Sequence, residues 1–414
     1  MNKDVGISTH QKLYVRTRDG TESLSPKLVF TLAAACGITV ANIYWTQPLL
    51  DTIAHAFDAS TTTVGLIVTF TQIGFALGLV FLVPLGDLLE RKRLITSIMY
   101  LTVLALMAAA FSPAIEFFIV VSLIIGVTSV VAQILVPFAA TLAKDHERGK
   151  VVGQVMSGLL IGILLARTLA GIISELAGWR SVFGAAALML LVLTMILGRA
   201  LPQYKHALDI TYPQLLTSVV HMIKTERVLR IRSAYGALVF ANFSVLWTSL
   251  TFLLAGPRYN YSDAVIGLFG IVGAAGAFSA NIAGKLADKG FSARSTITFL
   301  TLILVSFLLM IPGNRHIIPI IIGMILLDAG VQGTHITNQS EIYRLKGEAR
   351  SRLTTAYMTI YFIGGAIGSA TSAAAFNAYR WYGVCALGIG YSTLAVMFWI
   401  FEQLVLNRRP ANGR

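Results

Sequence analysis

Apolar stretches of about 20 residues recur along the whole chain, each long enough to cross ~30 Å of hydrocarbon at ~1.5 Å per residue. No other feature limits the fold as severely. Inside a bilayer every backbone N–H and C=O must be paired within the protein, so these stretches are helices. A membrane barrel would show alternating segments of about ten residues instead. Composition agrees: 56% of the 414 residues are hydrophobic and 12% charged, against roughly 25% charged in a soluble domain. A soluble enzyme is excluded.

Apolar runs between charged or Gly/Pro punctuation predict twelve helices, near 28–50, 62–85, 94–112, 116–141, 151–174 and 181–200, then 232–256, 264–286, 295–312, 316–339, 353–376 and 381–405. The longest polar connection divides them six and six. The expected organisation is a cytoplasmic N-terminal tail (1–27), a six-helix bundle (28–200), a cytoplasmic central loop (201–231), a second six-helix bundle (232–405) and a cytoplasmic C-terminal tail (406–414). The first 25 residues mix Lys3, Lys12, Arg16 and Arg18 with Asp4, Asp19 and Glu22 and show no small-residue cleavage pattern, so they read as a tail and not a signal peptide.

The formal net charge of +13 would point to nucleic acid in a soluble protein. Its distribution says otherwise. With a cytoplasmic N-terminus, 27 of the 32 Lys and Arg fall in the tails and even-numbered connections, while Arg180, Arg258, Arg315 and Arg380 fall on the other side. That satisfies the positive-inside rule, and interleaved Asp and Glu argue against a polyanion groove. The expected location is the cytoplasmic (inner) membrane, multi-pass, with both termini inside and no nucleic-acid partner. Cys36 and Cys385 lie in apolar stretches, so neither a disulfide framework nor a metal site is expected.

The halves repeat. A shift of 201 or 202 residues places Trp45-Thr46 on Trp247-Thr248, Gly65-Leu66 on Gly267-Leu268, Gly162 on Gly364 and Trp179 on Trp381. The offset contains six spans, an even number, so the halves share one orientation and are related by a pseudo-two-fold axis along the membrane normal.

The connection after the second predicted span reads Pro84-Leu85-Gly86-Asp87-Leu88-Leu89-Glu90-Arg91-Lys92-Arg93, and that after the eighth reads Gly284-Lys285-Leu286-Ala287-Asp288-Lys289-Gly290. These resemble the signature loop of the major facilitator superfamily, Gly-x-Leu-Ala-Asp-Arg-x-Gly-Arg-Arg. With twelve spans in two halves, the resemblance covers essentially the whole chain. It implies a transporter and a conformational latch formed by Asp87, Arg91 and Arg93, with Gly284 and Asp288 in the second copy. Independently, a carboxylate at a helix end beside guanidinium groups makes charge-assisted bonds that one arrangement of helices holds and another breaks. An ordinary basic loop is the alternative. Val83, Leu88 and Glu90 depart from the family pattern.

Of 51 Asp, Glu, Lys and Arg residues, only Asp328 and Arg167 lie in the middle of predicted spans, where each costs roughly 2.5–3.5 kcal/mol on insertion scales. Gln332, His335 and Gln339 follow Asp328 at i+4, i+7 and i+11, forming one polar stripe. The first span offers Thr39, Asn42, Thr46 and Gln47, the fourth Ser122, Ser129 and Gln133, and the seventh Asn242 and Ser249. The family resemblance places the first, fourth, seventh and tenth helices around a central substrate cavity, which assigns Asn42, Thr46, Gln47, Ser129, Gln133, Asn242, Gln332 and Gln339 to it. Aromatics such as Tyr44, Trp45, Trp247, Tyr357 and Tyr361 either form an apolar pocket or anchor the membrane interface.

Asp328 is expected to exchange a proton as its surroundings alternate between wet and closed. The alternative is a structural Asp328–Arg167 pair, and a pair formed in one state only would couple protonation to conformation. His335 is either a proton relay or a helix-packing residue. Many proton-coupled exporters of the family carry an Arg four residues before a fourth-helix Gly; here Ser122 precedes Gly126. Their fifth-helix Gly-Pro is replaced by Ala166-Arg167, so Arg167 is expected to supply the missing cation. If Arg167 and Asp328 are coupled, the double neutral variant transports better than either single one, whereas additive losses in a double-mutant cycle argue against coupling.

No Gly-x-x-x-x-Gly-Lys-Ser/Thr loop, His/Cys ligand spacing or nucleophile constellation is present, so no cofactor or metal is expected. The sequence reads as a monomeric secondary transporter exporting small, partly apolar compounds against protons. A carrier of a small polar metabolite is the alternative, and a membrane-embedded enzyme or sensor lies outside the class.

Overall fold

The computed structural model describes residues 14–16, 22–204, 211–273, 279, 282–286, 291–345 and 350–406, and these are almost wholly helical. Among the described residues nine helices are long and apolar enough to cross a membrane. One of them, Arg350–Phe401, contains two crossings, separated at Arg380, whose φ of 53° and ψ of −147° interrupt the helix. The shorter apolar helices Pro26–Ala41 and Asp263–Val272 stand at the first and eighth predicted spans. Apart from a short antiparallel pair of strands, Tyr14–Arg16 and Glu22–Leu24, the architecture is the helical, twelve-crossing fold expected from the sequence.

Local chemistry sets the interruptions. Pro26 opens its helix where an N–H has no partner anyway. The predicted first span, 28–50, instead stops at Ala41, turns through 42–46, and continues as a single 3-10 turn, Gln47–Leu49, with Pro48 inside it, followed by the helix Leu50–Ala56. Pro48 has no amide hydrogen to continue an α-helical ladder. The predicted fourth span divides into Ile115–Thr128 and Val131–Leu142. At the break the Ser129 hydroxyl donates to the Ile125 carbonyl at 2.6 Å, a back-bond that competes with the helix ladder. The polar central connection also holds a helix, Tyr212–Thr225. Its Tyr212 hydroxyl donates to the Phe81 carbonyl at 2.8 Å, and burial raises that phenol above its ordinary pKa.

The chain forms two compact units. The first comprises residues 1–52, 70–221 and 262–270, and the second 53–69, 222–261 and 271–414. Each takes in a segment from the other half of the sequence. In the first unit a Cβ on Gly267 would lie 2.5 Å from the Arg167 carbonyl oxygen; in the second, a Cβ on Gly65 would collide with Ala373. The bare glycine backbone permits these approaches.

The sequence repeat has a packing counterpart within each unit. Gly162, on the helix Arg148–Ala177, lies directly against Gly37 of Pro26–Ala41. Its repeat mate Gly364 lies against Ala237 of the helix Arg227–Ala255. Trp179 and Trp381 are both buried. Trp179 packs edge-on against Phe118, and Trp381 donates its indole N–H to the Met310 carbonyl at 2.7 Å.

Candidate functional site

The helix Ile317–Tyr343 runs 27 residues, with Pro319 confined to its first turn, and carries the polar stripe of the second unit. Gly330 and Gly333 bring it against the helix Ser292–Met310: a Cβ on Gly330 would stand 2.6 Å from Ile303 Cγ1, and one on Gly333 would meet the Phe299 ring. At about 3.6 residues per turn those glycines fall opposite Asp328, Gln332, His335 and Gln339. Helix packing on the glycine side therefore fixes the direction of the stripe. Asp328 is 4% exposed, whereas Gln332, His335 and Gln339 are half-buried.

His335 is the junction between the stripe and an aromatic wall. Its Nδ1 lies 3.0 Å from the Tyr357 hydroxyl, and its ring centroid is 4.9 Å from that of Tyr361. Tyr361 stacks on Phe240 at 4.1 Å, Phe240 on Phe243 at 5.4 Å, and Phe243 leads to Trp247 at 6.0 Å. Gly236 makes room for the Tyr357 ring, since a Cβ there would lie 2.8 Å from it. Tyr357, Tyr361 and Trp247 thus belong to one ring cluster drawn from two helices. Asn242 is fully buried outside the stripe: its Nδ2 donates to the Leu238 carbonyl at 2.9 Å, and its Oδ1 accepts from the Ser392 hydroxyl at 3.0 Å.

Arg167 is a buried cation of the first unit, 3% exposed. Its Nε donates to Gln47 Oε1 at 2.7 Å, its Nη1 to the Ile163 carbonyl at 3.3 Å, and its guanidinium carbon lies 4.6 Å from the centre of the Tyr44 ring. The break after Ala41 supplies this geometry by carrying Tyr44 and Gln47 through the turn and 3-10 segment. Thr168 adds a bond from its hydroxyl to the Gly267 carbonyl at 3.0 Å. Asn42 Oδ1 accepts the Trp45 indole N–H at 3.0 Å. Thr46 and Ser129 are buried at the two helix breaks, and Gln133 is half-buried one turn beyond the second.

In the signature loop Arg91 is largely buried and multiply held. Its Nε donates to the Gly86 carbonyl at 2.9 Å, its Nη1 to Thr141 Oγ1 at 3.2 Å, and its Nη2 meets Asp87 Oδ1 at 3.4 Å. The guanidinium also faces the rings of Phe138 and Tyr204. Arg93 is exposed and lies 3.8 Å from Glu90, away from this cluster. Glu90, a departure from the family pattern, caps the helix Arg91–Ala110 by accepting from the Lys92 and Arg93 amides at 2.9 and 3.0 Å. Gly284 is half-buried with open space around it, and Asp288 lies outside the described residues.

Sequence reasoning missed a carboxylate cluster in the first unit. Asp263 accepts from Thr52 at 2.7 Å and Ser174 at 2.6 Å, and Glu175 accepts from Ser262 at 2.6 Å. It also missed Glu402, buried in the second unit, which accepts from the Tyr235 hydroxyl. Both Asp263 and Glu402 sit at the margins of apolar runs, where charge is unremarkable. Only the seryl, threonyl and tyrosyl partners brought in by folding make them distinctive.

The family model of the Major Facilitator Superfamily matches residues 31–369. The chain is 51% identical over 376 residues to an uncharacterized transporter of Escherichia coli (strain K12), YgaY, covering 91% of this chain and 95% of that one. It is 31% identical over 384 residues to a transporter of Streptomyces coelicolor, covering 91% and 89%. Among solved structures it resembles that of the nucleoside transporter NupG with a TM-score of 0.73 at 14% identity, over 90% of this chain and 98% of that one.

Proposed function

The chain belongs to the major facilitator superfamily, and on that premise we propose that this multi-pass membrane transporter is a proton-coupled exporter of small, partly apolar compounds. The observation that carries the reading is Asp328, a carboxylate 4% exposed in the middle of an apolar membrane helix, on a face whose other polar members are half-buried. A charge at that depth is costly and is a functional group by default. As the site alternates between wet and closed surroundings, the free energy of the charged form changes, and Asp328 takes up and releases a proton. A membrane potential adds up to about 2.3 kcal/mol per charge per 100 mV for full transit. The rings of Tyr357, Tyr361, Phe240 and Phe243 next to His335 supply an apolar wall for the solute.

In this reading Asn42, Thr46, Gln47, Ser129, Gln133, Asn242, Gln332 and Gln339 supply the polar fringe of the solute path, and Arg167 the fixed cation. The protein works as a monomer in the cytoplasmic membrane with both termini inside. The half-buried Gln332, His335 and Gln339 also support a second reading, a carrier of a small polar metabolite.

Purified protein in proteoliposomes tests the proposal. Ligands found in a thermal-shift screen at two pH values are supplied outside or inside the vesicles, and an imposed pH gradient drives their movement in antiport with protons. Solute flux indifferent to the gradient sinks the proton reading, and a screen that returns only sugars, amino acids or organic acids favours the second.

Asp87 and Arg91, with Arg93 at the edge, form the latch of this reading, Gly284 and Asp288 marking its second copy. Asp87→Ala removes one anchor of the Arg91 guanidinium while leaving the Gly86 and Thr141 bonds available. The expected result is a changed ratio of inward to outward accessibility in cysteine-labelling experiments. An unchanged labelling pattern removes the latch.

A further inference from the structure

The first unit carries a cavity of about 800 Å³ along the helices Pro26–Ala41 and Arg148–Ala177. Its long wall is one face of the helix Arg148–Ala177, and its chemistry changes along that face. Lys150, Gln154 and Ser157 come first, followed by Gly158, Ile161, Gly162, Leu165 and Leu169. From Lys150 to Leu169 the wall runs roughly 28 Å at 1.5 Å per residue, close to the full hydrocarbon thickness.

The opposite wall, from Val29 through Phe30, Ala33 and Ile38 of the helix Pro26–Ala41, is apolar, and Phe30 is 74% exposed. Gly158 and Gly162 lie directly against Ala33 and Gly37, so nothing larger than a methyl group stands at the floor where the helices meet. At the polar end Glu147 and Lys150 lie within one helical turn of each other. Glu147 is buried, and its Oε1 accepts the Leu24 amide at 2.8 Å; Lys150 is exposed. A long apolar slot ending in one acid and one base is complementary to an amphiphile whose head carries both charges.

We propose that this slot is a binding site for a phospholipid with a primary-amine zwitterionic head. The acyl chain lies along Gly158–Leu169, the phosphate meets Lys150, and the ammonium meets Glu147. A quaternary ammonium cannot donate a hydrogen bond to the carboxylate, and a head with no amine leaves Glu147 unmatched. Selection among lipids therefore comes from the mouth, and retention from the slot.

Native mass spectrometry of the full chain, exchanged into micelles doped equally with phosphatidylethanolamine, phosphatidylcholine and phosphatidylglycerol, tests this without a transport assay. The wild type is expected to retain phosphatidylethanolamine several-fold over the others. Lys150→Gln and Glu147→Gln are each expected to erase that preference; the Gln at 147 still offers an oxygen to the Leu24 amide. Ile161→Trp, which adds bulk to the slot, is expected to lower retention of all three, with a monodisperse elution profile confirming the fold. Equal retention of the three lipids by the wild type overturns the proposal. So does a preference untouched by both mouth variants, or retention unchanged by Ile161→Trp.

Discussion

Asp328→Asn is expected to reduce proton-driven solute flux in proteoliposomes to the level of empty vesicles while leaving the protein folded and able to bind solute. Asn keeps nearly the volume of Asp and can occupy the same site on the helix Ile317–Tyr343, so Gly330 and Gly333 still seat against Ile303 and Phe299. What Asn lacks is a titratable proton and the charge that accompanies its loss. Binding of a neutral solute to the aromatic wall of Tyr357, Tyr361 and Phe240 should survive, as should energy-independent exchange of labelled for unlabelled solute. A variant that exchanges solute but cannot be driven by a gradient identifies the coupling group. Undiminished gradient-driven flux assigns the proton elsewhere, and loss of binding together with flux makes Asp328 a solute ligand or a structural residue.

Gly364→Leu is expected to be strongly destabilising. A Cβ at Gly364 would stand inside the backbone of Ala237, so the helices Arg227–Ala255 and Arg350–Phe401 would have to separate along the Tyr235–Asn242 stretch that carries the aromatic wall. Overpacking of a filled interior typically costs ~1–3 kcal/mol and occasionally more, and here the obstruction is backbone, which has no alternative rotamer. The adjacent contact between Gly368 and Ala241 would be lost with it. The expected readout is a clear drop in apparent Tm in detergent, or loss of the monodisperse peak. Gly390→Leu provides the control, because that glycine is exposed and open space surrounds it. Equal stability of the two variants would show that the close helix approach contributes little to the fold.

The glycines illustrate what can be read without coordinates. Gly162 and Gly364 align in the sequence repeat, and each proves to be a point of helix-to-helix contact within its own unit. Small residues at such points let helices approach in a medium where apolar association alone gives little drive. The matched Trp179 and Trp381 behave likewise, each buried where a new helix begins. The stripe from Asp328 to Gln339 was legible for the same reason, because helical periodicity converts spacing into a face.

Helix interruptions and long-range partners were not legible to the same degree. An apolar run that pauses for Ser129 or Pro48 still looks like one span, since hydropathy averages over the break. Yet the break after Ala41 is what delivers Tyr44 and Gln47 to the Arg167 guanidinium. Likewise Arg91 and Arg93 look interchangeable in a basic loop, but one is buried among Gly86, Thr141 and Asp87 while the other is exposed beside Glu90.

By itself the sequence determined that the chain is a twelve-span helical membrane protein built as a repeat, because a bilayer leaves the backbone no other way to satisfy its polar groups and charge cannot be hidden in hydrocarbon. Only the tertiary structure decided that residues 53–69 pack with the second unit and 262–270 with the first, that His335 meets Tyr357, and that Asp263 meets Thr52 and Ser174. Those contacts join residues far apart in the chain or on different helices. They depend on side-chain shape at the crossing points, which composition and periodicity do not encode.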